Sequence, residues 1–152
     1  MPNSLAVIGA GGISRFHFLA FEQTHTPVRV VSDIDEAKAR PYVDKFGAVW
    51  ERDYRAAVAR RDVNAVIVLT PSSLHYEVCK AALDAGKHVV CEKTLTLSPQ
   101  QSLELGRLAE KKGLVFFTSY MKRFFPAVQK AKELMPRLGH IMSVYCRTYQ
   151  GL

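Results

Sequence analysis

The residues best suited to chemistry fall in three clusters, each placed directly after an apolar run. The first is Gly9-Ala10-Gly11-Gly12-Ile13-Ser14, which follows Leu5-Ala6-Val7-Ile8. In a G-x-G-x-x-small pattern the first glycine permits a tight turn and the second lets the backbone approach a ligand. The small sixth residue lets helix and strand pack closely. Ser14 holds that sixth place, one oxygen larger than alanine. Backbone N–H groups at the opening of a helix, helped by the helix dipole, hold an anion such as a pyrophosphate. Gly9, Gly11, Gly12, Ile13 and Ser14 are therefore candidate contacts. Nineteen residues after Ser14, a second apolar run ends in Asp33, with Ile34 next to it. A carboxylate in that place accepts hydrogen bonds from an adenosine ribose and repels a 2′-phosphate. With isoleucine beside it rather than arginine, the pair predicts NAD in preference to NADP. Taken without its context, Asp33 is an ordinary turn residue.

The second cluster is Thr70-Pro71-Ser72-Ser73-Leu74-His75, after Asn64-Ala65-Val66-Ile67-Val68-Leu69. Thr70 and Ser72 suit a ribose or phosphate, and Pro71 is counted among the cofactor contacts. His75, near a helix start, is either a contact or a capping-region histidine. The third cluster is Cys91-Glu92-Lys93. A lysine desolvated beside a cofactor can polarise a substrate oxygen or take its proton, because burial shifts its pKa readily. The plainer reading of Lys93 is a surface ion-pair lysine. No base for Cys91 is identifiable from the sequence, so it reads as a core thiol rather than a nucleophile. His17 reads as a packed helix residue, and His25, His88 and His140 are set aside.

The elements that must position these clusters alternate. Residues 5–10, 28–33, 64–70, 87–93 and 114–120 read as buried strands, with a short one at 48–50. Between them lie helical stretches at about 13–23, 34–47, 53–61, 75–86 and 98–113. Pro41 is expected to bend or interrupt the second helix, and Ser98 to cap the fifth. Alternation of this kind means right-handed βαβ units. The expected fold class is α/β: a Rossmann-type parallel sheet of six strands, order 3-2-1-4-5-6, with helices on both faces. The nucleotide-binding domain is expected over residues 1–121. Residues 122–152 read as a connecting helix and the first strand of an incomplete second, α+β domain. That strand, 140–150, alternates Met142, Val144 and Cys146 with Ser143, Tyr145 and Arg147. A lone strand needs a partner, so pairing with another copy is expected, making the chain a homo-oligomer.

Lys and Arg number 21 against 14 Asp and Glu, giving +7. The cations are scattered rather than gathered in a stripe with a docking motif, which speaks for a solvated basic surface and against nucleic acid. No run of apolar residues is long enough to span a bilayer, so no membrane role is expected. Three cysteines without metal-ligand spacing and no leader-like start predict a reduced, cytoplasmic chain with no metal site.

These motifs together resemble the family of glucose–fructose oxidoreductase, inositol dehydrogenase and the rhizopine-catabolism protein MocA. The resemblance runs from Gly9 through Ser14 with His17 three later, to Asp33-Ile34-Asp35, Asp53-Tyr54, Thr70-Pro71 with His75, and Ala85-Gly86-Lys87-His88-Val89 leading into Glu92-Lys93. It continues in Tyr120-Met121-Lys122-Arg123-Phe124 with Pro126, and in Gly139-His140-Ile141. It implies that Lys93 is the catalytic lysine, that Glu92 is its companion near the nicotinamide, and that Arg123 lines the cofactor–substrate cleft. It also implies an NAD-dependent oxidoreductase, or its N-terminal part, acting on a secondary alcohol of a sugar, cyclitol or related polyol. The family also contains non-dehydrogenases, so a non-catalytic NAD-binding regulatory or truncated module is the alternative. Two departures stand out. Thr94 replaces the family's proline after the lysine, predicting a looser turn. The aspartate and histidine or lysine that the family's second domain supplies would fall beyond residue 152.

Overall fold

The computed structural model describes residues 4–147. They belong to two compact units that divide between Ser119 and Tyr120. The first unit carries strands β1 (Leu5–Ile8), β2 (Val28–Ser32), β3 (Val49–Glu51), β4 (Ala65–Val68), β5 (His88–Glu92) and β6 (Phe116–Ser119). All pair in parallel, in the spatial order 3-2-1-4-5-6, as the alternation required. Helices α1 (Ser14–Gln23), α2 (Glu36–Phe46), α3 (Tyr54–Ala59), α4 (Ser72–Asp84) and α5 (Pro99–Lys112) connect them.

The continuous apolar runs reflect burial on both faces of the sheet. In β1, Leu5 and Val7 join one core with Phe18 and Phe21 of α1 and Ala39 and Val43 of α2. Ala6 and Ile8 join the other core with Val58 of α3, Val78 and Leu83 of α4 and Leu105 of α5. On the first face the Phe18 ring stacks on Tyr42, centroids 3.8 Å apart, and locks α1 to α2.

Local signals behave unevenly. Asp35 and Asp53 cap α2 and α3 by accepting from the Ala37 and Arg55 N–H groups. Pro41, expected to disturb α2, lies inside an unbroken helix, held across it by buried Ala39 and Val43 and by stacked Tyr42. Ser98 stands at the cap position of α5, but its hydroxyl donates to Gln100 Oε1 and makes no cap bond. Thr96 Oγ1 instead accepts from the Ser98 N–H and bonds Ser102 Oγ.

The second unit contains a 3-10 turn (Met121–Phe124), α6 (Pro126–Leu134) and another 3-10 turn (Met135–Leu138). Of the strand expected at 140–150 with a partner, residues 141–147 carry no regular structure in the single chain, and 148–150 lie outside the described residues. Alternation alone cannot make a strand, because its N–H and C=O groups need a neighbouring ladder. Met142, Val144 and Tyr145 are 91%, 78% and 82% exposed, so neither face of the pattern is buried. Among the described residues no helix is long and apolar enough to cross a membrane.

Cys79 of α4 and Cys91 of β5 are buried side by side, while Cys146 is exposed. Donation of its S–H to the neighbouring Cys79 sulfur, together with burial, pushes the Cys91 thiol far above its ordinary range. Of the 3 cysteines, only Cys146 is expected to react with maleimide at neutral pH, with all of them reacting after denaturation. Mass spectrometry of the labelled protein checks this, and native labelling of Cys91 would contradict the packing.

Candidate functional site

Parallel register places the motifs in one row. Ile8 pairs with Ser32 and Val68, Val68 with Cys91, and Ser32 with Glu51. The next residue on each strand therefore stands at the carboxyl edge of the sheet. Across β3, β2, β1, β4 and β5 the row reads Arg52, Asp33, Gly9, Leu69, Glu92. The two halves of the sheet diverge between β1 and β4, where open α/β sheets form their ligand crevice.

The glycine turn is built for that point. Gly9 has φ +102°, and a Cβ on it would lie 2.8 Å from the Leu69 carbonyl carbon and 2.9 Å from the Thr70 nitrogen. Fold geometry alone excludes a side chain there. Gly11 and Gly12 differ, for a Cβ on either would meet nothing within 4 Å. Their backbone faces open space. Ser14 is fully buried, and its hydroxyl donates to the Gly11 carbonyl at 2.6 Å, tying the turn to the first residue of α1.

Asp33 is bound into the same turn. Its Oδ2 accepts the Ala10 N–H at 2.7 Å and its Oδ1 the Asp35 N–H at 2.9 Å. The Trp50 indole donates to its carbonyl at 3.1 Å. A carboxylate has about four lone-pair sites, so two bonds leave acceptor capacity facing outward.

A cavity of about 330 Å³ runs along this edge. Gly9, Gly11, Asp33, Ile34, Thr70 and Pro71 line it, brought together as the clusters suggested. Lys38, Arg52, Tyr54 and Leu74 line it as well; Tyr54 and Leu74 stood inside motifs quoted above, but none of the four was singled out as a contact. Lys38 is five residues past Asp33, in the first turn of α2, a spacing that could have been noticed. Arg52 is placed only by the pairing of β3 with β2, which no local pattern announces. Thr70, one of the lining residues, has a hydroxyl that is buried without a hydrogen-bond partner, an orphan of a kind that is rare in native structures.

His75 is neither an open contact nor a capping residue. It is 1% exposed, with Nε2 2.7 Å from the Thr70 carbonyl and Nδ1 2.8 Å from the Thr94 carbonyl. It thus braces the β4 and β5 loops against each other. That brace, with the Thr96 bonds to Ser98 and Ser102, orders the segment after Lys93, where the loss of proline had suggested a looser turn. The Lys93–Thr94 peptide is cis.

At the end of β5, Glu92 is 4% exposed, with Lys93 exposed next to it. Glu92 Oε1 lies 2.8 Å from His17 Nε2, and Glu92 Oε2 accepts the Lys93 N–H at 3.0 Å. His17, read from sequence as mere packing, is in fact paired with the glutamate of the third cluster. The signal was its position three residues after Ser14, on the same face of α1. Arg123 belongs to the second unit, where its guanidinium lies over the Tyr120 ring at 5.9 Å.

A glycine turn at the switch point, a carboxylate one strand away and an open groove at the helix start define a dinucleotide-binding Rossmann domain. The profile of the Gfo/Idh/MocA oxidoreductase family, NAD-binding Rossmann fold, matches residues 4–120, and the chain belongs to that family. It is 30% identical over 155 residues to the D-glucoside 3-dehydrogenase of Escherichia coli, covering 99% of this chain and 44% of that one. The fold superposes with a TM-score of 0.84 on WlbA dehydrogenase from Chromobacterium violaceum in complex with NADH and UDP-GlcNAcA, at 29% identity, covering 90% of this chain and 40% of the other. With KijD10, a 3-ketoreductase from Actinomadura kijaniata in complex with NADP and TDP-benzene, the TM-score is 0.83 at 30% identity, over 90% and 43% of the two chains. The chain spans less than half the length of the curated relatives it matches. The family is NAD(P)-binding.

The glycines separate two kinds of constraint. Gly9→Ala is expected to lower stability by about 1–3 kcal/mol or more, the cost of a strained backbone made worse by a clash with β4. Gly11→Val fills open space, so its Tm should stay near that of the parent while NADH binding weakens at least about tenfold, the scale of a lost backbone contact to an anion. Thermal melts and calorimetry check both, and a destabilised Gly11→Val would contradict the geometry.

Proposed function

We propose that this chain is the cofactor-binding part of a dehydrogenase that prefers NAD and oxidises a secondary alcohol of a sugar, cyclitol or related polyol. The observation that carries the cofactor reading is the cavity at the sheet's carboxyl edge, which brings together the open backbone at Gly11 and the backbone-held Asp33 carboxylate. The backbone from Gly11 to Ile13 at the start of α1 would hold the pyrophosphate, and Asp33 the adenosine ribose. When bound, the nicotinamide accepts hydride from the alcohol carbon. Lys93, next to Glu92 at the carboxyl end of β5, would hold and remove the hydroxyl proton. Supporting the substrate class, the chain is 30% identical to a glucoside dehydrogenase.

Preference between cofactors depends on a balance within the cavity. Asp33 disfavours a 2′-phosphate, whereas Lys38 and Arg52 attract one. Lys38 and Arg52 are both exposed, and Lys38 already lies 3.5 Å from Asp35. Exposed ion pairs contribute only about 0–1 kcal/mol and fade with salt. Repulsion from the part-buried Asp33, whose charge is held in place by two N–H donors, is screened less and should prevail.

Calorimetric titration of the chain with NAD and NADP at two ionic strengths tests this. NAD is expected to bind more tightly, by a margin that widens with salt as the help from Lys38 and Arg52 is screened. Asp33→Ser should narrow the margin by a factor on the order of ten, the value of a charge-assisted hydrogen bond. Tighter NADP binding by the unmodified chain would overturn the preference. No binding of either cofactor would overturn the whole reading.

A further inference from the structure

Glu92 is a nearly buried carboxylate with its two oxygens directed to different parts of the chain. Oε1 meets His17 Nε2 at 2.8 Å, and Oε2 accepts the N–H of Lys93 at 3.0 Å. One side chain therefore connects helix α1 to the backbone of Lys93, the residue proposed above to take the hydroxyl proton. His17 is itself well held. Its side chain is 16% exposed, and its ring lies 6.2 Å from buried Phe21. Ser14, one turn earlier, anchors the helix start to the glycine turn. The ring thus has a fixed address, set by the same turn that would hold the pyrophosphate.

We propose that His17 is a positioning residue for Lys93, acting through Glu92: it holds the carboxylate so that Oε2 fixes the Lys93 backbone at the nicotinamide end of the crevice. The proposal rests on the cofactor reading above. Nothing in it requires His17 to touch cofactor or substrate. Without the imidazole, Glu92 Oε1 loses its partner in a site with little water, and the carboxylate is free to rotate away from the Lys93 N–H. The consequence is local. The adenosine side of the crevice, with Asp33 and the β2 edge, stands on the other half of the sheet and does not depend on this link.

Two isosteres separate positioning from bulk packing. In His17→Gln the amide nitrogen falls where Nε2 was and can still reach Glu92. In His17→Asn it falls where Nδ1 was and cannot. Each variant, made in the full chain, is titrated with NADH and with ADP-ribose, which has no nicotinamide ring. His17→Asn should weaken NADH about tenfold, the value of one hydrogen bond to a charged group, and leave ADP-ribose within about twofold. His17→Gln should restore most of the NADH affinity. In a double-mutant cycle, adding His17→Asn to Lys93→Ala should cost little beyond Lys93→Ala alone, because residues that act as one unit are not additive. Equal weakening of both ligands, unchanged NADH affinity in His17→Asn, failure of His17→Gln to rescue, or full additivity with Lys93→Ala would each overturn the proposal. Failure of the unmodified chain to bind ADP-ribose would instead overturn the cofactor reading on which it stands. Thermal melts of both isosteres confirm that the native fold is being compared, and a Tm loss shared by His17→Gln and His17→Asn with parallel loss of both ligands would mark His17 as merely structural.

Discussion

The close approach of Gly9 to the end of β4 is the constraint on which the crevice depends. A single methyl group at residue 9 would fall within 2.9 Å of three backbone atoms of Leu69 and Thr70. Because it is absent, β1 can turn away at its last paired residue while β4 runs on beside it. The Gly9 N–H reaches the Ser32 carbonyl and the Leu69 N–H reaches the Ile8 carbonyl, so the turn is stitched to both neighbouring strands. A groove opens above this seam because helices leave β1 and β4 to opposite faces of the sheet.

The same seam sorts charge. On the β2 side stand Asp33, Lys38 and Arg52, an anion held by backbone donors with two exposed cations near it. On the β5 side stand His17, Glu92 and Lys93, a carboxylate held between a helix and the amide of its own neighbour. In each half a carboxylate is fixed by hydrogen bonds before any ligand arrives. Pre-oriented charges need not reorganise on binding, which is how modest numbers of contacts give useful affinity. Asp33 does two jobs: it organises the glycine turn through Ala10 and keeps acceptor capacity outward.

How much of this was legible in the sequence depended on whether the controlling interaction was local. Buried parallel strands declare themselves as continuous apolar runs, since both faces are covered, and the order of six strands followed. The glycine cluster and Asp33 were legible because their spacing reflects one strand–turn–helix–strand unit. Arg52 was not, since only the pairing of Ser32 with Glu51 brings it to the crevice edge. His17 was misjudged because its partner lies 75 residues away. Pro41 and Ser98 show the reverse case, where a local rule was outweighed by stacking of Tyr42 on Phe18 and by the hydroxyl of Thr96. At 140–150 the alternating pattern was real, but a strand is a property of a pair, and the exposed stretch 141–147 has no ladder beside it.

His75 illustrates why a conspicuous polar residue in a crevice motif need not face the crevice. Buried at 1% exposure, it can remain there only if its ring nitrogens find partners. They find them in two carbonyls, Thr70 on the β4 loop and Thr94 on the β5 loop. A neutral imidazole has a single N–H and can donate to one of the two; both are satisfied together only by the doubly protonated ring. Whichever form is present, the ring joins the loop that carries the orphan Thr70 hydroxyl to the loop that carries Lys93. With His17 and Glu92 linking that second loop to α1, the three segments bordering the groove are joined through side chains as well as through the sheet. The sheet fixes where the strands end. These two histidines, on α1 and at the start of α4, fix how the chain leaves them, and so a crevice made of loops acquires the definition of the strands beneath it.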